Sequence, residues 1–408
     1  MTKSVIIVDP FSTGALYAKA FADLGYRCHA VIANDNINKD YFRFDDTHFV
    51  NKTPYSIQDA KDKLNPSDVA AVVIGAESGV IAGETLAHYF GVLGNNPATS
   101  QLRRDKFAMQ DALKARGLNH IKSQIIHKDS QEFFDSESYI IKPINSAGSD
   151  GVIFIKDKTA LLSHLQTLKF DGVNALGEPN TAYLLQSFIT GDEFVVDMVV
   201  QGDHVFVASL CKYEKGLYNG SPFVYKNMQM LDITDKKYQA IIKYAKQCVR
   251  ALDVSVGAVH MELFATWGTD SYINPVMIEM GARLHGGVAP IIFQACYEPN
   301  LLTLSMAAHL NQDLKHANMY ECATQTQPAK VVFLINETPN AHLDADKFLE
   351  QIKQVDGFYH VKILDDKTLP LTVDLLSCPA LVCLVGGAID DDEKRVRAIF
   401  NSCLFTQT

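Results

Sequence analysis

Two strongly apolar runs in the second half of the chain, Val256 to Thr266 and Tyr272 to Met280, each hold one glutamate and are joined by Trp267-Gly268-Thr269-Asp270-Ser271. The short, turn-rich join specifies an antiparallel hairpin. Its centre falls between Asp270 and Ser271, which sets Glu262 directly opposite Glu279, with side chains about 5 Å apart. Two carboxylates facing each other among apolar neighbours repel unless a cation lies between them. A divalent ion meets that need. Mg²⁺ in particular takes a few carboxylates and completes its octahedron with water and substrate phosphate. The alternative is a pair of surface acids on the wet face of a sheet; the apolar residues around them favour the metal pair. Period-two alternation puts His260 on the face of Glu262, where it either meets substrate and a phosphoryl oxygen or serves only the structure.

Two earlier segments suit a nucleotide. Lys142 closes the apolar strand Tyr139-Ile140-Ile141, and Asn145-Ser146-Ala147-Gly148-Ser149-Asp150-Gly151 follows before a second apolar strand. A Gly-rich turn between strands can fold its N–H groups over a phosphate chain, and the lysine adds a point charge. The pattern is not a P-loop, because G-x-x-x-x-G-K-[ST] is absent. An ordinary hairpin loop beside a surface lysine is the competing interpretation. In Leu185-Gln186-Ser187-Phe188-Ile189-Thr190-Gly191-Asp192-Glu193 the extended stretch can offer backbone groups to an adenine edge. Glu193 can then accept ribose hydroxyl hydrogens. Alone, this segment reads more readily as a strand, a turn and an exposed acid. After the metal hairpin, Arg283 in Met280-Gly281-Ala282-Arg283-Leu284-His285-Gly286-Gly287 offers a planar, permanently charged fork for carboxylate or phosphate.

The rest of the chain organises around these motifs. Strand and helix alternate over residues 1–100, with strands at Val5 to Asp9, Arg27 to Ile32 and Val69 to Ile74 and helices between them. That pattern implies a parallel sheet covered by helices. It ends near Asn95-Asn96-Pro97. Residues 101–322 mix antiparallel strands and helices. The polar stretch Cys211 to Tyr225, with Lys215, Tyr218 and Asn219, reads as a loop, equally one that closes as a lid or a merely disordered surface loop. Residues 323–408 read as a small separate α/β module.

The ordered set of motifs resembles the ATP-grasp superfamily, and within it the L-amino acid ligases. It runs Arg103-Arg104-Asp105-Lys106-Phe107, Ile141-Lys142-Pro143, the Gly-rich loop, Gly191-Asp192-Glu193-Phe194, His260-Met261-Glu262, and Ile278-Glu279-Met280-Gly281-Ala282-Arg283. The resemblance implies an ATP-grasp fold of mixed α/β and α+β character, with an N-terminal Rossmann-like pre-grasp domain (1–100), an ATP-grasp domain (101–322) and a small C-terminal domain (323–408). It implies ATP and Mg²⁺, with Mn²⁺ as a substitute, and an amide-forming ligase that works through an acyl phosphate. Lys106 and Lys142 would contact phosphate, and Ser146, Ala147, Gly148, Ser149 and Gly151 would form the mobile phosphate loop. Gln186, Ser187, Phe188 and Ile189 would form the adenine hinge, and Glu193 would hold the ribose. Glu262 and Glu279 would bind the metal, Arg283 would stabilise the acyl phosphate, and His260 would sit near substrate. Glu77, in Gly75-Ala76-Glu77-Ser78-Gly79, would hold a substrate ammonium. Leu284, His285, Gly286 and Gly287 would border the substrate pocket, the glycines leaving room for a larger side chain. Many members carry Glu-x-Asn where this chain has Glu279-Met280-Gly281, which leaves the ligands of a second ion open.

Composition narrows the alternatives. The net charge of -10 makes a nucleic-acid partner unexpected, since phosphate neutralisation needs clustered Lys and Arg. The eight cysteines are scattered, with no C-x-x-C pair, and read as core thiols of a reducing compartment. The start runs directly into a strand-like segment, so no leader peptide is expected, nor a membrane span, and the expected location is cytoplasmic. Small-molecule substrates and a homodimer are the expected partners. The rivals are an ATP-grasp ligase of a non-amino-acid carboxylate, a silent nucleotide-binding regulator, and an oxidoreductase. The last is disfavoured because Asp9-Pro10-Phe11-Ser12-Thr13-Gly14 lacks G-x-G-x-x-G.

Overall fold

The computed structural model describes residues 2–33, 44–144, 151–170, 172–174, 179–312, 314, 321–364 and 368–406. The loop residues Asn145, Ser146, Ala147, Gly148, Ser149 and Asp150, expected to cover phosphate, lie outside these.

The chain opens with β1 (Ser4–Val8), α1 (Leu16–Asp23), β2 (Arg27–Val31), α2 (Ile57–Lys63), β3 (Val69–Ile74) and α3 (Val80–Phe90). The three strands form a parallel sheet in the order β2-β1-β3. Every residue of β1 is buried, as expected of a parallel strand covered on both faces. The loops leaving β1 and β3 touch through two glycines. A Cβ at Gly14 would lie 2.3 Å from the Gly75 carbonyl oxygen, and one at Gly75 would lie 2.5 Å from that of Asp9. Buried Asp9 accepts from the Ala33 N–H (2.7 Å) and the Ser78 hydroxyl (2.5 Å), and so fixes the short turn Glu77–Gly79 that starts α3.

After α4 (Lys106–Ala115) come β4 (Ser123–Ile126), β5 (Tyr139–Pro143), β6 (Ile153–Ile155), α5 (Lys158–Leu165) and β7 (Tyr183–Ser187). These strands make an antiparallel sheet ordered β4-β7-β5-β6. Next come β8 (Asp192–Gln201), β9 (His204–Tyr218), β10 (Ser221–Met230), α6 (Gln239–Ala251), β11 (Val256–Trp267) and β12 (Tyr272–Gly281). They build one large antiparallel sheet, in the order β12-β11-β8-β9-β10, which then continues into the strands Ala329–Phe333, Ala380–Val385 and Phe358–Ile363.

Two expectations are corrected here. The stretch Cys211 to Tyr225 is not a loop. It is the far half of the β9–β10 hairpin, whose ladder runs from Cys211–Met230 to Tyr218–Ser221. Asn219 at its tip donates to the carbonyls of Asn336 and Thr372, 3.0 and 2.9 Å away, so the hairpin is anchored where a lid would swing. The C-terminal segment is not a separate sheet either: its strands extend the central one through Asn227–Val332 and neighbouring pairs. It keeps its own small apolar core around Phe348, Val396 and Phe400.

The eight cysteines are unpaired and seven are buried, as expected. Among the described residues, no helix is long and apolar enough to cross a membrane.

One buried ion pair joins the parallel-sheet unit to the large sheet. Arg103 and Glu84 are both buried, and the guanidinium meets the carboxylate at 2.6 and 2.9 Å. The same side chain donates to the carbonyls of Asn96, Leu252 and Asp253 at 2.8 to 3.0 Å. Removing one partner of such a pair leaves an unpaired buried charge. Arg103→Ala is therefore expected to lower unfolding free energy by about 3–5 kcal/mol in denaturant titration, and a loss under about 1 kcal/mol would show that the pair does not hold the units together.

Candidate active site

The two hairpin glutamates stand opposite each other, Glu262 paired with Glu279 across β11 and β12. The register arises differently from the symmetric hairpin. The turn is tighter, closing on Trp267–Tyr272, and two irregularities, after Phe264 and after Glu262, restore the facing pair. Such bulges re-aim side chains where a site needs them. Glu262, His260 and Phe264 share one face of β11. Across the ladder, Glu193 and Asp197 of β8 share that face as the partners of Phe264 and His260.

This face floors a cavity of about 490 Å³. Lys106, Lys142, Gly151, Gln186, Ser187, Phe188, Ile189, Glu193, His260, Glu262, Glu279, Arg283, Gly286 and Gly287 all line it. Lys106 starts α4 beside its cap Asp105, and its ammonium lies 3.3 Å from Glu279. Lys142 is buried on β5, across from β7. Burial, together with nearby Lys106, lowers its pKa to about 8 against the pull of Glu279 and Glu262. Gln186 and Ser187 end β7, and the Gln186 side chain is tied to Ser123 at 2.9 Å. Phe188 stacks edge-on against Phe154 at 4.9 Å. The strand edge thus presents a shaped, mostly apolar wall to the cavity.

Glu193 is buried and bonded to Lys215 at 2.7 Å. Burial is the largest influence on its carboxyl and raises its pKa, with Glu262 and Glu279 adding to the rise and Lys215 opposing it. Lys215, which sequence reading gave to a lid, is a strand residue that pairs with this acid. Burial also opposes charge on Glu262. His260, Lys215 and His285 outweigh it and hold that carboxyl at about 2. For His260, burial is outweighed by its bonds to Asp197 and Glu262, which raise it to about 9.

Arg283 reaches into the cavity and also donates to Glu77, Nε to Oε2, at 3.2 Å. Glu77 arrives from the turn after β3, and its other oxygen lies 4.0 Å from Arg104. Its carboxylate is therefore held between two guanidinium groups. Gly281, paired with His260 across β12, lies beneath it. A Cβ there would sit 2.8 Å from Glu77 Oε2. The missing side chain at 281 is what lets Glu77 reach Arg283.

His285, Gly286 and Gly287 border the cavity as expected, but Leu284 does not. It is fully buried in the main core. Asp197 was missed. It is fully buried and bonded to His260, His285 and Ser209. Its signal was present as an acid four residues after Glu193 in an otherwise apolar strand, which places both on one face.

Residues 136–290 match the ATP-grasp domain family. The chain carries an ATP-grasp domain. Dapdiamide A synthase of Enterobacter agglomerans is 28% identical over 407 residues, covering 93% of this chain and 91% of that protein. The L-arginine-specific L-amino acid ligase of Bacillus subtilis is 22% identical over 236 residues, 56% of this chain and 55% of that one. The crystal structure of an L-amino acid ligase from Bacillus licheniformis superposes with a TM-score of 0.74 at 17% identity, over 100% of this chain and 99% of that one. The fold is thus the ATP-grasp fold. Of the cavity residues, Lys142, Gln186, Ser187, Phe188, Ile189, Glu193, Glu262, Glu279 and Arg283 fall within the matched residues, while Lys106, like Glu77, comes from outside them.

Gly281→Ala should push the Glu77 carboxylate, the free end of a flexible side chain, off Arg283 with little loss of stability. A crystal structure of the variant that keeps the 3.2 Å contact would contradict this reading of the glycine.

Proposed function

We propose that the protein is an ATP- and Mg²⁺-dependent carboxylate–amine ligase that joins an amino acid to a second amino acid or amine. The observation that carries the reading is the facing pair Glu262 and Glu279 in one cavity with Lys106 and Lys142. The relatives named dapdiamide A synthase and L-arginine-specific L-amino acid ligase support it. We read residues 1–100 as the pre-grasp domain, 101–322 as the grasp domain and 323–408 as a C-terminal domain that completes the substrate end of the cleft.

The donor set fits the ion: two carboxylates opposite each other, both with hard oxygen donors, on the floor of a cavity that two lysines also line. When bound, Mg²⁺ or Mn²⁺ would neutralise charge on the triphosphate and orient it. The chain's own residues do the rest. Lys106 from α4 and Lys142 from β5 bring positive charge to the phosphates. The segment Gln186 to Ile189 takes the adenine, and Glu193 the ribose.

A substrate carboxylate oxygen attacks the γ-phosphorus. The bond to the β,γ-bridging oxygen breaks, and its electron pair leaves with ADP. The amine nitrogen then adds to the acyl carbon and gives up a proton to the departing phosphate or water, and the C–O bond breaks with its electron pair leaving on inorganic phosphate. Arg283 faces this centre with a fixed positive charge, and charge stabilisation of this kind is the main work in phosphoryl and acyl transfer. His260 and Glu77 stand on either side of it, one for the reacting groups and one for a substrate ammonium or for holding Arg283.

A screen of amino acid pairs with Mg-ATP, read as phosphate release and product mass, tests the proposal. ADP, phosphate and a condensed product should appear together for at least one pair. Turnover with only a non-amino-acid carboxylate would move the protein to another ligase class, and nucleotide binding without turnover would make it a regulator. Glu262→Gln and Glu279→Gln should each lower turnover by at least about 10²-fold, of the order expected for loss of a charge-stabilising group, with circular dichroism unchanged. Full activity in either variant would remove the metal assignment.

A further inference from the structure

Behind the proposed metal carboxylates lies a side-chain cluster of which the reaction scheme uses only His260. Asp197 is fully buried in the middle of the large sheet. Its neighbours across the ladders are His260 on β11 and Ser209 on β9. The β8–β9 ladder shifts register immediately after Asp197, so a bulge lies beside the carboxylate. His285 closes over it from the loop that follows β12.

Three donors meet this one carboxylate. His260 Nδ1 lies 3.0 Å from Oδ1, His285 Nδ1 lies 2.9 Å from Oδ2, and the Ser209 hydroxyl donates to Oδ2 at 2.5 Å. An ionised carboxylate only accepts, so each imidazole must present an Nδ1–H to it. That leaves both Nε2 atoms directed away from Asp197. The Nε2 of His260 points to Glu262 Oε1 at 3.4 Å, and that of His285 to the Tyr213 hydroxyl at 3.2 Å. The rings themselves lie 4.2 Å apart, centroid to centroid. Asp197, His260 and His285 bring ligand atoms within 4.8 Å of one another, the reach of a metal centre. Direct N···O contacts of 2.9 and 3.0 Å leave no space for an ion between those atoms, so hydrogen bonding accounts for the cluster better.

We propose that Asp197 is a positioning residue: it fixes the tautomer and ring orientation of both His260 and His285, so that their Nε2 edges face Glu262 and the substrate side of the cleft. A carboxylate behind an imidazole commonly does this, and losing it typically costs about 10–100-fold. Here one carboxylate serves two imidazoles, which ties the wall carrying Tyr213 to the strand carrying Glu262. The catalytic part of the proposal rests on the ligase reading above; the structural part does not.

Asp197→Asn tests it with little change of volume. A carboxamide has one acceptor oxygen and one donor nitrogen, so it satisfies only one of the two Nδ1–H groups. Ring-nitrogen ¹H–¹⁵N spectra, assigned with His260→Gln and His285→Gln, read the tautomers in the wild-type protein and need no turnover. Both rings should carry a proton on Nδ1, and Asp197→Asn should take that signal from at least one. An unprotonated Nδ1 on either wild-type ring overturns the proposal, whether or not the variant folds. In phosphate release, Asp197→Asn should lower kcat by at least about tenfold while KM for ATP stays within about twofold. Its loss should combine less than multiplicatively with that of His260→Gln. An unchanged kcat, or fully multiplicative losses, would show that Asp197 does not act through the imidazoles. A wild-type protein that never turns over would defeat the ligase reading and leave the spectra to decide the positioning.

Discussion

The cleft depends on one electrostatic constraint, the confinement of two carboxylates on facing strands. Glu262 and Glu279 are paired in register in the large sheet, close to the lysines of two other elements. Like charges so placed are tolerable only with positive charge around them. The structure supplies it from all sides: Lys106 from the start of α4, Lys142 from β5, Lys215 from β9 and His260 from within β11. The surroundings also hold Glu262 at about 2, an acid kept ionised although it is half-buried. A carboxylate held charged in this way is ready for a cation rather than a proton.

Around this floor the three parts of the chain have distinct physical tasks. The parallel sheet carries Glu77 on a turn fixed by Asp9 and by the contact of Gly14 with Gly75. The small antiparallel sheet brings Lys142 and the wall from Gln186 to Ile189 over the floor. The C-terminal strands lengthen the floor, and Val331, Phe333 and Leu381 add apolar surface to the far end of the cavity. Gly281 connects two of these tasks. Its lack of a side chain opens the space that Glu77 occupies, which is a physical reason for a glycine at this position.

Local pattern carried much of this. Parallel strands showed as continuous apolar runs, and the acids Glu262 and Glu279 stood out because nearly everything near them is apolar. What escaped sequence reading was long-range pairing. The β9–β10 hairpin reads as a loop because its outer half loses the continuous buried run of its inner half: most residues there are half-buried, and Glu214, Leu217 and Pro222 are exposed. The join between Asn227 and Val332 has no local signature, so the C-terminal strands looked independent. Even the correct facing of the two glutamates was reached from a symmetric hairpin, whereas the chain uses a tighter turn and two bulges. Asp197 was hidden for a different reason. One acid in a strand is ordinary until the histidines from two other segments are seen to converge on it.

The account stands or falls on whether a divalent ion binds between the two facing glutamates. The most direct measurement is a crystal structure with Mn²⁺ and a non-hydrolysable ATP analogue, read by anomalous scattering. The account predicts an anomalous peak within coordination distance of oxygens from both Glu262 and Glu279, with phosphate oxygens completing the shell. A nucleotide bound in the cavity with no peak there, or with its ion held elsewhere, would contradict it.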